Sequence, residues 1–213
     1  MNWKSQMANK NDIIRLSKYR NALTRLMAMN FAKVFPDNLA DATGVSAVQV
    51  RKDFSTFDIP ENQRGGYEAG ELIKRLNKIL DKDTIHKFIE VGAGNLGKAL
   101  LSYPGFTKSG INIVACFDVD PAKYDRDAEI PVLPIDELDD FVRKHHIRFG
   151  IISTPDAAAQ QVLVRMMSSG IKGILNFASI YLGGSQDCVI NNVNLESEVD
   201  SLVYFANHAG ESQ

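Results

Sequence analysis

The sequence holds only two cysteines, Cys116 and Cys188, in 213 residues. Both stand in apolar surroundings, with no CxxC pair and no His-rich partner segment. That excludes a structural zinc site and a disulfide framework and leaves buried thiols. No apolar run approaches the roughly 18 residues that a membrane-crossing helix needs. Met1 to Lys10 has no apolar stretch of signal-peptide type, so a cytoplasmic protein without membrane attachment is expected. Histidine is scarce: His86 precedes a strand, His145 and His146 end a charged helix, and His208 lies near the C-terminus. None of the four follows a strand in a catalytic position, and no Ser/His/Asp or Cys/His arrangement is legible, so no general base is identified. With 45% hydrophobic and 23% charged residues, the composition excludes a disordered or low-complexity chain.

Charge of either sign is not in excess overall, but it is unevenly placed. Residues 1–80 carry 13 Lys+Arg against 8 Asp+Glu, whereas residues 81–213 carry 11 against 18. A basic module followed by an acidic one points to a polyanion as partner of the first alone.

In that first module Ile13, Leu16, Tyr19, Leu23, Leu26 and Met27 recur at helical spacing, predicting a helix over 12–30. Pro36 suits the first turn of a short helix, and Leu39 to Ala42 continue into Thr43-Gly44-Val45-Ser46, where Gly44 suits a tight turn and Ser46 an N-cap. The next helix, Ala47 to about Phe57, is expected to bury Val48, Val50 and Phe54 and to face Gln49, Arg51, Lys52 and Ser55 outward. Helix, Gly-containing turn and a second helix with exposed Gln and basic residues form the helix-turn-helix pattern, whose second helix enters the major groove of DNA. Residues 58–67, rich in Pro, Gly and Asn, suit a hairpin or wing, with Arg64 reaching phosphate or minor groove; a surface loop is the plain alternative. A last helix over 68–80 carries Leu72, Ile73, Leu76 and Leu80 as an apolar stripe.

The second part is α/β. An apolar segment, Ile85 to Val91, runs into Gly92-Ala93-Gly94-Asn95-Leu96-Gly97 and then a helical stretch. Strand before and helix after are the context in which G-x-G-x-x-G binds a dinucleotide. The glycines serve the tight turn, the approach of backbone to pyrophosphate and the packing of helix on strand. A second strand, Ile111 to Phe117, ends in Asp118, placed to accept from an adenosine ribose and to favour NAD(H) over NADP(H). Strands at 132–134, 149–152, 173–177 and 188–193 alternate with helices at 135–144, after Pro155, and at 196–208, predicting a doubly wound, Rossmann-type parallel sheet. The loop Ser153-Thr154-Pro155-Asp156 leaves a strand at the sheet's ligand-binding end, so Thr154 and Pro155 are candidates for the cofactor as well as for a simple helix cap. The expected domains are 1–80, a winged helix-turn-helix; 81–195, dinucleotide-binding; and 196–213, a C-terminal helix and tail.

After the dinucleotide fold is counted, no substrate domain remains. A DNA-binding module joined to a nucleotide module without catalytic apparatus reads as a ligand-controlled regulator rather than an enzyme. Two other readings stay open: a small NAD-dependent oxidoreductase or CoA-binding relative, and a winged-helix protein whose nucleotide domain only dimerises.

The chain resembles the Rex family of bacterial redox-sensing transcriptional repressors over nearly its whole length. The resemblance rests on Arg15-Leu16 and Tyr19, Gln49 to Ser55, Arg64 to Tyr67, Gly92 to Gly97, Tyr103-Pro104-Gly105-Phe106, Phe117 to Pro121, and Gly170 to Ala178. It implies a homodimer that exchanges its C-terminal helix, binds an inverted-repeat DNA operator, and is released when NADH, rather than NAD, occupies the dinucleotide domains. Tyr103, counted with the cofactor-binding residues, matches an aromatic residue of the family's switch, where it pairs with an Asp and an Arg. This chain departs there, with Asn194 for the Asp and Asn21 for the Arg. Thr56 replaces a Tyr, Ser179 replaces a loop proline, and the wing is one residue shorter between its glycines. These departures bear on operator affinity and on the switch.

Overall fold

The computed structural model describes residues 8–60 and 65–209. The chain divides into two compact units, Met1–Thr84 and Ile85–Gln213.

Among the described residues the first unit begins with α1 (Lys10–Ala28), whose N-cap Asn9 and third helical residue Asp12 close a reciprocal capping box. Strand β1 (Lys33–Val34) leads to α2 (Pro36–Thr43), which Gly44 ends in the left-handed conformation at φ +69°. Ser46 then caps α3 (Ala47–Thr56), accepting from Gln49 N at 3.2 Å. Strand β2 (Tyr67–Glu68) pairs antiparallel with β1, and α4 (Ala69–Ile79) packs against α1. The core joins Leu16, Tyr19 and Leu23 to Leu39, Val50, Phe54, Leu72 and Leu76. Phe54 sits edge-on between Tyr19 and Tyr67, with ring centroids 5.8 and 5.2 Å away.

Several expectations are corrected here. Val48 is 74% exposed, while Asp53 takes a buried place on α3. Of the α1 stripe, Ile13 and Met27 also lie at the surface. Tyr67 finds its strand partner in Val34 across the unit rather than in an opposing arm of its own loop. Two residues of strand leave no periodicity to read, which is why β1 is invisible in the sequence. The centre of the expected wing, residues 61–64 with Arg64, lies outside the described residues.

The second unit is a six-stranded, all-parallel sheet of β3 (His86–Val91), β4 (Ile111–Asp118), β5 (Val132–Pro134), β6 (Phe149–Ile152), β7 (Gly173–Asn176) and β8 (Val189–Asn192). Their order is β5-β4-β3-β6-β7-β8. This is the doubly wound order of dinucleotide-binding folds, in which the sheet reverses direction of growth between its first and fourth strands, here β3 and β6. Helix α5 (Asn95–Leu101) follows β3, and a short α6 (Pro104–Lys108), which the sequence did not signal, precedes β4. The stretch 135–144 opens as a 3₁₀ turn at Ile135–Glu137 before α7 (Leu138–His145). Helices α7 and α8 (Asp156–Ser169) pack together, and their Leu138, Val142, Leu163 and Met166 join the core with Ile89, Val91, Ala115, Phe117 and Ile152. Cys116 and Cys188 are both buried and unpaired, as their surroundings implied. Helix α9 (Leu195–Asn207) buries none of its residues. Among the described residues no helix is long and apolar enough to cross a membrane.

Candidate nucleic-acid and dinucleotide sites

On α3, Arg51 and Lys52 are exposed, and Arg51 lies 3.5 Å from Asp37 of α2. Gln49 is partly buried and donates from Nε2 to Asp53 Oδ1 at 2.7 Å. Asp53 is the hub of this end of the unit. It also accepts from Arg15 Nε at 2.6 Å and Nη2 at 2.7 Å, and from the Tyr19 hydroxyl at 2.8 Å. Burial pushes its carboxyl up, but the bonds from Arg15, Tyr19 and Gln49 outweigh that and hold it below the usual carboxylate value. The same bond to Asp53 raises the Arg15 pKa, and burial followed by that carboxylate raises the Tyr19 phenol. The network ties α3 to α1 in a fixed orientation and turns Gln49 toward the protein. Sequence reasoning missed it, although an acid one residue before the buried Phe54 is the signal that could have found it.

In the second unit the glycine-rich loop lies where the sheet reverses. Gly92 has φ +113°, and a Cβ there would stand 2.7 Å from Ser153 O. At Gly97 a Cβ would meet Gly92 O at 1.9 Å, so only glycine lets α5 settle on the end of β3. A Cβ on Gly94 would meet nothing within 4 Å, because that glycine faces open space. Gly92 and Gly94 line a cleft of about 250 Å³ with Asp118, Val119, Asp120, Lys123, Ser153, Thr154 and Pro155. The cleft thus brings the glycine loop, Asp118, Thr154 and Pro155 together. Ala93 is buried in the loop, while Asn95 and Leu96 open α5.

Asp118 ends β4 at the cleft, as its spacing implied, and is bonded within the protein. Its Oδ2 accepts from Ala93 N at 2.7 Å and Lys123 Nζ at 3.1 Å, and its Oδ1 from Asp120 N at 2.9 Å. Burial raises its carboxyl; the Asp120 and Ala93 amides and Lys123 outweigh that and lower it. Three of roughly four acceptor positions are therefore taken within the protein. Asp118 thus holds the glycine loop through Oδ2 and keeps an acceptor position on Oδ1. Lys123, which sequence reasoning did not single out, supplies the cleft's cation. The Thr154 hydroxyl is buried without a partner. An orphan hydroxyl, an ammonium and a glycine edge free of Cβ fit an anionic, hydroxyl-bearing ligand such as a dinucleotide.

Tyr103 lies apart from this cleft. It is 55% exposed, packs edge-on against Phe106 and lines a second cleft of about 630 Å³ with α6 and β4. Asn194 caps α9, accepting from Ser197 N at 3.0 Å, and Arg20 donates to Asn21 at 3.3 Å. Ser179 donates its backbone N–H to Asp156 Oδ1 at 2.8 Å, a bond a proline could not make.

Comparison with known proteins agrees with both units. A family model described as a putative DNA-binding protein N-terminus matches residues 10–55, and one described as a CoA binding domain matches 83–180. The redox-sensing transcriptional repressor Rex of Carboxydothermus hydrogenoformans is 38% identical over 90% of this chain and 93% of its own length. Rex of Clostridioides difficile is 35% identical over 90% of this chain and 92% of its own. Among solved structures, the Rex-family repressor RSP in complex with NAD⁺ and operator DNA superposes with a TM-score of 0.89 at 32% identity. That match covers 95% of this chain and 94% of RSP. RSP in complex with NADH superposes at 0.84 and covers 95% of this chain and 96% of its own. With sequence and fold alike over nearly its full length, this chain belongs to the Rex family of redox-sensing transcriptional repressors.

Proposed function

We propose that this protein is a cytoplasmic, homodimeric repressor that binds an inverted-repeat operator in double-stranded DNA and leaves it when NADH replaces NAD in the dinucleotide cleft. The observation that carries the reading is the cleft itself. Gly94 without a Cβ to obstruct, an unpartnered Thr154 hydroxyl and Lys123 converge at the reversal of a Rossmann sheet, in a chain whose other unit is a helix-turn-helix. Gly92 to Gly97 would hold the pyrophosphate, with Thr154 and Pro155 at the opposite lip and Asp118 fixing the loop. Bound there, NADH supplies no chemistry to this protein beyond its differential affinity for two arrangements of the dimer. Arg51 and Lys52, with Arg64, would face the operator. Gln49 reaches a base only by giving up its bond to Asp53. Tyr103 belongs to the dimer's switch rather than to the cleft of one protomer.

Operator affinity at fixed salt, with NADH and NAD titrated separately, tests the reading. Release by NADH at concentrations where NAD has no effect is expected. Binding indifferent to both would mean that the switch, altered at Asn194 and Asn21, has been lost.

A further inference from the structure

Below the glycine loop lies a carboxyl group that the function described so far does not use. Glu90 of β3 is fully buried, in register with Cys116 of β4 on one side and Ile151 of β6 on the other. Its Oε1 is 2.7 Å from Ser153 Oγ, and its Oε2 has no partner. Ser153 Oγ is at the same time 2.9 Å from the carbonyl oxygen of Gly92. A serine hydroxyl has one hydrogen, and here it stands between these two near oxygens, with Val91 O farther off at 3.4 Å. If Glu90 were a carboxylate, that hydrogen could serve one of the two fully and would leave the other short of a donor. If Glu90 is a carboxylic acid, both contacts are satisfied: Glu90 donates to Ser153, and Ser153 donates to Gly92 O. The orphan Oε2 is then a neutral carbonyl oxygen rather than part of a buried charge, which costs far less.

The peptide joining Gly92 to Ala93 is thereby held at both ends. Its carbonyl is fixed through Ser153 by Glu90, and its N–H donates to Asp118. The carbonyl also sits 1.9 Å from where a Cβ of Gly97 would be, so the relay is seated beneath α5. We infer that Glu90 is a positioning residue held as a neutral acid, which orients the first peptide of the glycine loop through Ser153 and keeps negative charge from beneath a bound dinucleotide. The inference rests on the dinucleotide reading of the cleft.

Burial pushes the Glu90 carboxyl up to about 7, with the Ser153 bond opposing. The titratable group facing it from β4 is Cys116, whose thiol is itself pushed up to about 12, by burial first. At the end of β4, Asp118 and Lys123 pair with one another. Ile151 and Ser153 of the β6 side do not titrate, and the one charged residue of α5, Lys98, is exposed. Raising the pH through neutrality therefore ionises Glu90, breaks the relay and places a like charge near the pyrophosphate.

The test compares the full-length protein with Glu90→Gln, whose amide donates to Ser153 at every pH. The expected result has two parts. Infrared titration of the ligand-free protein shows a protonated carboxyl that is absent from E90Q and disappears near neutral pH. NADH affinity of the unmodified protein falls by up to about tenfold per pH unit above that point, one proton being involved, whereas E90Q stays flat. Ser153→Ala, which cuts the relay, weakens NADH binding even at pH 6. A protein with no protonated carboxyl at pH 6, or an E90Q profile parallel to that of the unmodified protein, overturns the inference. Absence of NADH binding at any pH defeats the dinucleotide reading instead, and the infrared titration still decides the state of Glu90.

Discussion

Asp53 receives four hydrogen bonds, two of them from Arg15, while lying almost wholly out of water. A buried ion pair of this kind adds little net stability when complete and costs much when broken, because the surviving partner is left uncompensated. Asp53→Ala is expected to lower stability by about 3 kcal/mol, on the scale of a buried pair that loses one partner. Denaturant unfolding measures it, and a loss near zero would show that Arg15 and Tyr19 find other acceptors. The sign of the pH effect follows from the lowered carboxyl of Asp53. The stabilisation is present above the unfolded value of 3.8 and is lost as the pH falls through the folded one. Operator binding should suffer more than folding, because Asp53 also sets the direction of Gln49 and of the helix that carries Arg51 and Lys52. Glu90 is the opposite case. It has one hydroxyl neighbour and no cation, so burial prevails and its carboxyl rises. Two buried acids thus differ in state because one has an arginine and the other does not.

At the scale of elements, the glycine loop and α5 depend on a backbone approach that only a missing Cβ allows. Gly97→Ala puts a methyl group 1.9 Å from Gly92 O, and backbone cannot yield as a flexible side chain does. The expected cost is about 2 kcal/mol of stability, typical of overpacking, with NADH binding lost in a protein that still folds. Retained NADH affinity in G97A would show that α5 can slide outward without cost to the cradle. All six strands of the sheet and the helix-turn-helix were legible in the sequence, because each has a run of apolar residues or a turn residue whose chemistry is specific. The two-residue β1 and the five-residue α6 are shorter than the periods that reveal elements. Val48 was misplaced because its helix turns Asp53, not a further apolar residue, toward the interior. Within the cleft, Gly92, Gly94, Asp118, Thr154 and Pro155 were legible from motif and strand ends. Lys123, Ser153 and Glu90 were not, since their roles depend on which atoms the fold brings within 3.1 Å, and spacing along the chain does not encode that.

At the scale of the whole molecule, the described residues include a long helix, α9, that buries none of its side chains. Leu195, Val199, Leu202, Val203, Tyr204 and Phe205 of α9 are each more than half exposed, on a helix that buries nothing. An apolar helix face of this length is costly in water, about 2 kcal/mol for each large side chain that could be buried. A second copy of the chain that takes up the helix would relieve this cost, consistent with the proposed exchange between protomers. Replacing Leu202 and Val203 by Asp puts two charges in that face without touching either site described above. Sedimentation or light scattering is then expected to find a monomer. Its operator affinity should fall on the order of 10²- to 10⁴-fold, because two half-sites are no longer bound by one linked pair of modules. The salt slope should fall with it, as one module contacts about half as many phosphates. NADH binding within one glycine cleft need not vanish, but it should no longer change DNA affinity, since a single module has no half-site spacing to lose. A variant that stays dimeric and releases operator on NADH would place the dimer contact elsewhere and leave the exposed face of α9 to another partner.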